Sequence, residues 1–264
     1  MTTRRPVIAG NWKMNLGGRQ GVEQLRQLIT EVANSGPADP QLIVLLPFTA
    51  LHVLHELTDA DAGAGALEYG AQDISTHDDG AYTGEISGPM LTEFGARYAL
   101  AGHSERRVRH GEAGESVNAK VHAAIRNHIT PIVCVGEELD VRRAGRHVDH
   151  TVSQVEEALG HVAATDVAGL LIAYEPVWAI GTGEVATPTD AQEVCAAIRG
   201  KIADLYDTDT AEQARILYGG SVKPSTSADI VAQRDVDGAL VGGASLDPDQ
   251  LLAIWRAATT PSPI

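Results

Sequence analysis

Cysteine, aromatic side chains, positive charge and long apolar runs are all scarce in this chain, and each scarcity removes a class of protein. Two cysteines in 264 residues, Cys134 and Cys195, cannot staple a disulfide framework. Cys134 sits inside an apolar run, which suits a reducing cytoplasm. Lysine and arginine total 20 against 35 aspartates and glutamates, a formal net charge of −15. Such a surface argues against nucleic acid and against an anionic membrane as partners, though not against an anionic small molecule held in a local pocket. No apolar stretch is long enough to span a bilayer, and Met1 to Pro6 lead into only three apolar residues before Gly10. The expectation is a soluble cytoplasmic protein without a leader. Ten histidines are present, but the pairs His52/His55 and His147/His150 lack the further ligands a divalent cation needs, so no metal site is expected.

What remains is ample material for a core, with 44% hydrophobic residues, and it is distributed regularly. Short runs that are apolar throughout recur: Val7–Gly10, Leu42–Leu46, Leu67–Ala71, Tyr98–Ala101, Pro131–Val135, Leu170–Tyr174, Arg215–Tyr218 and Gly238–Val241. Each is followed by a segment of helical periodicity. The helices are expected near Gly21–Ala33, from a Thr49 cap through Leu57, and over Ser116–Asn127, His147–Leu159, Thr189–Tyr206, Ser227–Ala232 and Pro248–Ala258. A long polar loop spans Gln72 to Ser87. Runs that do not alternate read as strands buried on both faces, and intervening helices make neighbours parallel through right-handed crossovers. Eight strand–helix units of about 33 residues each predict a closed (β/α)8 barrel, one domain over residues 1–264. A doubly wound open sheet is the competing topology.

In such a barrel, chemistry collects where the strands end. The first strand is followed by Asn11, Lys13 and Asn15, and the fourth by His103, Ser104, Glu105, Arg106 and Arg107. Glu137 follows the fifth strand. Glu175 closes the sixth strand, poorly solvated and pinned by Pro176, and leads into an apolar loop ending in Gly181-Thr182-Gly183. Stiff at one end and permissive at the other, that loop has the build of a lid. The seventh and eighth strands lead into Gly219-Gly220-Ser221 and Gly242-Gly243-Ala244-Ser245, whose backbone N–H groups can converge on a phosphate. A carboxylate base, a fixed cation, a histidine kept neutral by a helix N-terminus and an anion cradle suit proton transfer beside a carbonyl. No metal or cofactor is required for that chemistry. The residues therefore point to aldose–ketose isomerisation of a small phosphosugar.

Six segments carry a family resemblance. They are Ala9-Gly10-Asn11-Trp12-Lys13-Met14-Asn15, Gly84-Glu85-Ile86-Ser87, Ala101-Gly102-His103-Ser104-Glu105-Arg106-Arg107, Ala173 to Gly183, Tyr218-Gly219-Gly220-Ser221 and Leu240 to Ser245. In order and spacing, across nearly the whole chain, they resemble triosephosphate isomerases. The resemblance implies interconversion of dihydroxyacetone phosphate and D-glyceraldehyde 3-phosphate, a step of glycolysis and gluconeogenesis, through an enediolate. Glu175 would be the base, neutral His103 the electrophile, Lys13 the stabilising cation and Asn11 the residue that orients substrate, with Glu105 fixing Lys13. Gly181, Ser221, Gly242 and Gly243 would hold the phosphate. Pro176, Val177, Trp178, Ala179, Ile180, Gly181, Thr182 and Gly183 would form the lid, with Tyr218 and Ser221 bonding to its closed form.

The resemblance also implies a homodimer. Thr83 would reach the other subunit's Asn11, and Glu85 would pair with the other subunit's Arg106. The chain departs from the family pattern at Ser87-Gly88-Pro89-Met90 and at Val141 and Arg143, which stand where many members carry acids. That leaves the ion pairs of the fifth loop open. A paralogue acting on a four-carbon ketose phosphate with the same residues, and a catalytically dead barrel that binds a phosphometabolite, are the alternatives.

Overall fold

Eight parallel strands close on themselves in sequence order, so no edge is left to pair with another chain. The computed structural model describes residues 4–36, 39–60, 67–180, 184 and 186–258. The strands are β1 Val7–Asn11, β2 Gln41–Leu46, β3 Glu68–Ala71, β4 Tyr98–Ala101, β5 Thr130–Val135, β6 Leu171–Tyr174, β7 Arg215–Tyr218 and β8 Gly238–Val241. β1 pairs with both β2 and β8, with Gly10 opposite Val44 on one side and Val241 on the other. This closure excludes the doubly wound open sheet.

Every residue of β1 and β2 is buried. The reason is the two-layer core expected of unalternating apolar strands. Side chains pointing inward, such as Ala9, Leu45, Leu100, Cys134, Ala173 and Leu240, fill the barrel. Their outward neighbours, such as Ile8, Val44, Val133 and Ile172, pack against the helices.

Among the described residues the helices are α1 Val22–Ala33, α2 Phe48–Ala60, α3 Gly88–Glu93, α4 Ser104–His110, α5 Gly114–Arg126, α6 Leu139–Arg143, α7 His147–Ala158, α8 Ala164–Val167, α9 Pro188–Leu205, α10 Thr208–Gln213, α11 Pro224–Val231 and α12 Pro248–Ala257. Local chemistry sets several of the starts. Thr187 and Asp190 cap α9 reciprocally, with Pro188 as first residue, and Asp247 caps α12 ahead of Pro248. The expected Thr49 cap is corrected. α2 begins at Phe48, straight after Pro47, so Thr49 lies inside its first turn. The sequence also gave no sign of α3. This helix of six residues starts at the end of the polar loop, where Ser87 accepts from the Met90 N–H and Pro89 fixes the first turn.

The N-terminal end of the barrel is closed by charge. Arg199 of α9 meets Asp235 at 2.8 Å and Asp237 at 2.6 Å, and Arg4 shares Asp237. Among the described residues no helix is long and apolar enough to cross a membrane.

Candidate active site

Chain geometry at the opposite end brings the first, fourth and sixth strand exits together. After β1 the backbone turns sharply, and Lys13 adopts φ +51°, a left-handed conformation costly for any residue but glycine. The Asn11 side chain steadies this turn by accepting the Lys13 N–H at 3.0 Å. Trp12, wholly buried, anchors it by donating from its indole to the Ser245 carbonyl at 3.0 Å, which ties the first loop to the eighth. Lys13 Nζ then reaches Glu105 Oε1 at 2.6 Å. Burial pushes the Glu105 carboxyl up, but the bond and charge of Lys13 outweigh it and hold the group below the usual carboxylate range.

β4 ends at Ala101, and after Gly102 α4 starts with His103 as its N-cap. The Glu105 N–H donates to His103 Nδ1 at 3.2 Å. An N–H aimed at Nδ1 needs a lone pair there, so the ring proton sits on Nε2. Nε2 lies 3.0 Å from Glu175 Oε1. The ring is therefore a neutral donor that faces the sixth-strand carboxylate.

Glu175, 2% exposed, is held by two more donors. The Ser104 N–H reaches Oε2 at 2.9 Å, and the Ser104 hydroxyl reaches Oε1 at 3.2 Å. Its backbone is wedged between neighbouring loops. A Cβ added at Gly219 would sit 3.0 Å from Glu175 Cγ, and one at Gly220 would crowd Pro176 Cγ at 2.9 Å, so both glycines are needed for this close approach. A Cβ at Gly242 would lie 3.5 Å from Lys13 Cε, which puts the eighth-strand loop against the same lysine. Gly243 opens a short 3-10 turn over Gly243–Leu246, whose leading N–H groups have no acceptor within the turn. Ser221 is half-buried beside this mouth.

The near half of the candidate lid is tied down. Pro176 precedes a 3-10 turn at Val177–Ala179, which ends at Ile180. Glu137 accepts the Val177 N–H on its carbonyl at 3.0 Å, and on its carboxylate the Trp178 indole at 2.8 Å and the Tyr174 hydroxyl at 3.1 Å. Burial pushes the Glu137 carboxyl up, and those donors partly offset it. Arg142 pairs with Asp190 and lies over the Trp178 ring, 5.2 Å from its centroid. The fifth loop thus has a defined ion pair despite Val141 and Arg143. The Tyr218 hydroxyl is buried and has no hydrogen-bond partner among the described residues. Gly181, Thr182 and Gly183 lie outside the described residues.

Asn11, Lys13, His103, Glu105 and Arg106 line one cavity of about 830 Å³, together with Met14 and Phe48. Met14 is 96% exposed at its edge. Thr83 and Glu85 do not line this cavity in their own chain and stand on the exposed stretch 77–85. Arg106 meets Asp73 at 2.8 Å and Glu112 at 2.5 Å. Sequence reasoning missed two functions here, Ser104 as the holder of Glu175 and Asp73 as a partner of Arg106. The signal for the first was the serine directly after the helix-capping histidine. The second had none, because residues 73 and 106 are brought together only by the parallel pairing of β3 with β4.

A closed eight-stranded barrel with a lysine, a histidine and a glutamate converging at its C-terminal mouth is the architecture of a barrel enzyme. The chain belongs to the triosephosphate isomerase family, whose model matches residues 6–258. It is 55% identical over 256 residues to the triosephosphate isomerase of Streptomyces coelicolor, covering 97% of this chain and 98% of that one. Over 246 residues it is 53% identical to the Cutibacterium acnes enzyme of the same name, with 92% and 94% covered.

Proposed function

We propose that the chain interconverts dihydroxyacetone phosphate and D-glyceraldehyde 3-phosphate, an intramolecular aldose–ketose isomerisation that needs no metal or organic cofactor. The observation that carries this reading is the hydrogen bond from the Glu105 N–H to His103 Nδ1, which leaves the ring proton on Nε2. With Nδ1 accepting from Glu105, the Nε2–H is a neutral donor 3.0 Å from the Glu175 carboxylate. A substrate carbonyl takes the place of this contact: once Glu175 moves off Nε2, the carbonyl has a base on its carbon side and the Nε2–H donor on its oxygen side.

Glu175 takes the proton from the carbon next to the carbonyl, and the electron pair moves onto the carbonyl oxygen to give an enediolate. His103 Nε2–H and the Lys13 ammonium stabilise that oxygen. His103 moves a proton between the two oxygens, and Glu175 returns its proton to the neighbouring carbon, so nothing is gained or lost. Asn11 orients the substrate. Gly181, Ser221, Gly242 and Gly243 hold the phosphate through backbone and hydroxyl donors. The lid from Pro176 to Gly183 swings from its tether on Glu137 to cover the site, and Tyr218 and Ser221 bond to the closed form. Water exclusion then protects the enediolate phosphate from elimination.

The working unit in this reading is a cytoplasmic homodimer. Loop 72–87 of one copy enters the cavity beside Met14 of the other, bringing Thr83 to Asn11. Glu85 would add a third carboxylate to an Arg106 already paired twice within its own chain. In deuterated buffer containing a chelator, dihydroxyacetone phosphate should gain deuterium at the carbon Glu175 deprotonates while product forms. Turnover without exchange, or loss of turnover on chelation, would rule the mechanism out.

A further inference from the structure

We infer that Arg142 is a positioning residue for lid closure: it takes the Glu137 carboxylate over from Trp178 when the lid leaves its tether. The inference rests on the lid and the isomerase reading given above.

Glu137 is wholly buried just beyond β5. A carboxylate out of water is tolerated only while donors face it. Its Oε1 accepts the Trp178 indole at 2.8 Å and the Tyr174 hydroxyl at 3.1 Å, and its Oε2 is buried with no hydrogen-bond partner among the described residues. Tyr174 belongs to β6 and stays with the barrel. Trp178 belongs to the lid and leaves with it. Closure therefore strips a desolvated carboxylate of one of its two side-chain donors. A tether so costly to release would hold the site open.

Arg142 is placed to replace that donor. Its Nη2 is anchored on Asp190, in the first turn of α9. Its Nη1 stands 3.7 Å from Glu137 Oε1, too far for a hydrogen bond, and is buried with no hydrogen-bond partner among the described residues. An orphaned donor and an under-supplied acceptor thus face each other across a gap that a shift of about 1 Å closes. In the present lid position the Trp178 indole occupies Oε1, and its ring holds the guanidinium 5.2 Å from the centroid. Departure of Trp178 removes both restraints at once. The guanidinium then pivots on Asp190 and meets Glu137, so the buried carboxylate is satisfied in either lid position. The exchange needs a fork, with one nitrogen for the anchor and another for the handover. Lysine has a single point of attachment and cannot serve both carboxylates in the same way.

The test is a double-mutant cycle in the intact enzyme. For Arg142→Met, Glu137→Gln and the double variant, kcat/KM is measured together with the inorganic phosphate released per isomerisation. That release reports an open lid, because an enediolate reached by water breaks its C–O bond and expels phosphate, leaving the enol of a dicarbonyl. Arg142→Met should lose ~10-fold or more in kcat/KM, as the closed state becomes less populated, and should release more phosphate per turnover. In the Glu137→Gln background the acceptor charge is gone, so the same substitution should cost less than about threefold. A purely structural role through Asp190 predicts equal losses in both backgrounds and unchanged phosphate release. Either that result, or wild-type values in folded Arg142→Met, would overturn the inference. If any of these variants does not fold, Arg142→Lys decides alone. A loss of ~10-fold with raised phosphate release supports the handover, and wild-type values for both refute it. Failure of the wild type itself to isomerise triose phosphates would instead refute the functional reading on which the inference stands.

Discussion

Ser104 holds both oxygens of Glu175, its N–H on Oε2 at 2.9 Å and its hydroxyl on Oε1 at 3.2 Å. The carboxylate is parked, with every strong contact made to protein and none needed from water. Glutamine in its place keeps the shape and can still accept from Ser104, but it cannot take a proton from carbon. Glu175→Gln should therefore fold as wild type by circular dichroism and lose on the order of 10² or more in kcat. Near-wild-type turnover would remove Glu175 as the base.

Lys13 combines function with strain. Its φ of +51° suits glycine, and an ordinary residue there costs about 1 kcal/mol or slightly more. Lys13→Gly should be more stable than Lys13→Ala by about that amount in urea unfolding, because the pair differ mainly in this backbone penalty. Both should lose ~10²- to 10³-fold in activity, as expected when a donor to a developing oxyanion is removed. Equal stability of the two variants would show that the turn is not strained.

Glu105 gives a pH dependence with a definite sign. Burial raises its carboxyl and Lys13 lowers it further, so the folded value lies below the unfolded one. A group depressed in this way contributes stability above the unfolded pKa, and the contribution is lost as pH falls through the folded pKa. The difference in thermal midpoint between wild type and Glu105→Gln should be present at pH ~7 and close as pH drops below ~4. A difference that grows in acid would contradict the pairing.

Thr83 stands on an exposed stretch, 77–85, that is ordered by contacts within the chain. Arg126 and Asn127 both bind Asp78, and the His77 ring stacks on Tyr82 with centroids 3.8 Å apart. A long charged side chain at its tip should obstruct docking without unfolding the loop. Thr83→Arg is expected to sediment as a weakened dimer or monomer with reduced activity. Wild-type sedimentation and activity together would place the interface elsewhere.

Strand positions were legible because burial on both faces makes the runs apolar, with polar residues such as Gln41, Glu68, Thr130 and Arg215 at their first positions. Tyr98–Ala101, Arg215–Tyr218 and Gly238–Val241 have the expected bounds. Helix starts were less legible where geometry, not side-chain capping, begins the turn, as at Phe48 after Pro47. The site residues were visible as strand-exit chemistry, since the barrel brings all exits to one rim whatever their sequence separation. What holds them was not visible. Ser104 on Glu175 spans 71 positions and Lys120 on Asp73 spans 47, and no local periodicity encodes such a contact.

Steady-state assay in both directions, with the two triose phosphates and with a tetrulose phosphate as competitor, tests the central claim most directly. The structure and its family predict turnover of both triose phosphates, with kcat/KM above that for the four-carbon substrate. A higher kcat/KM on the tetrulose phosphate, or no turnover of triose phosphates by folded protein, would contradict it.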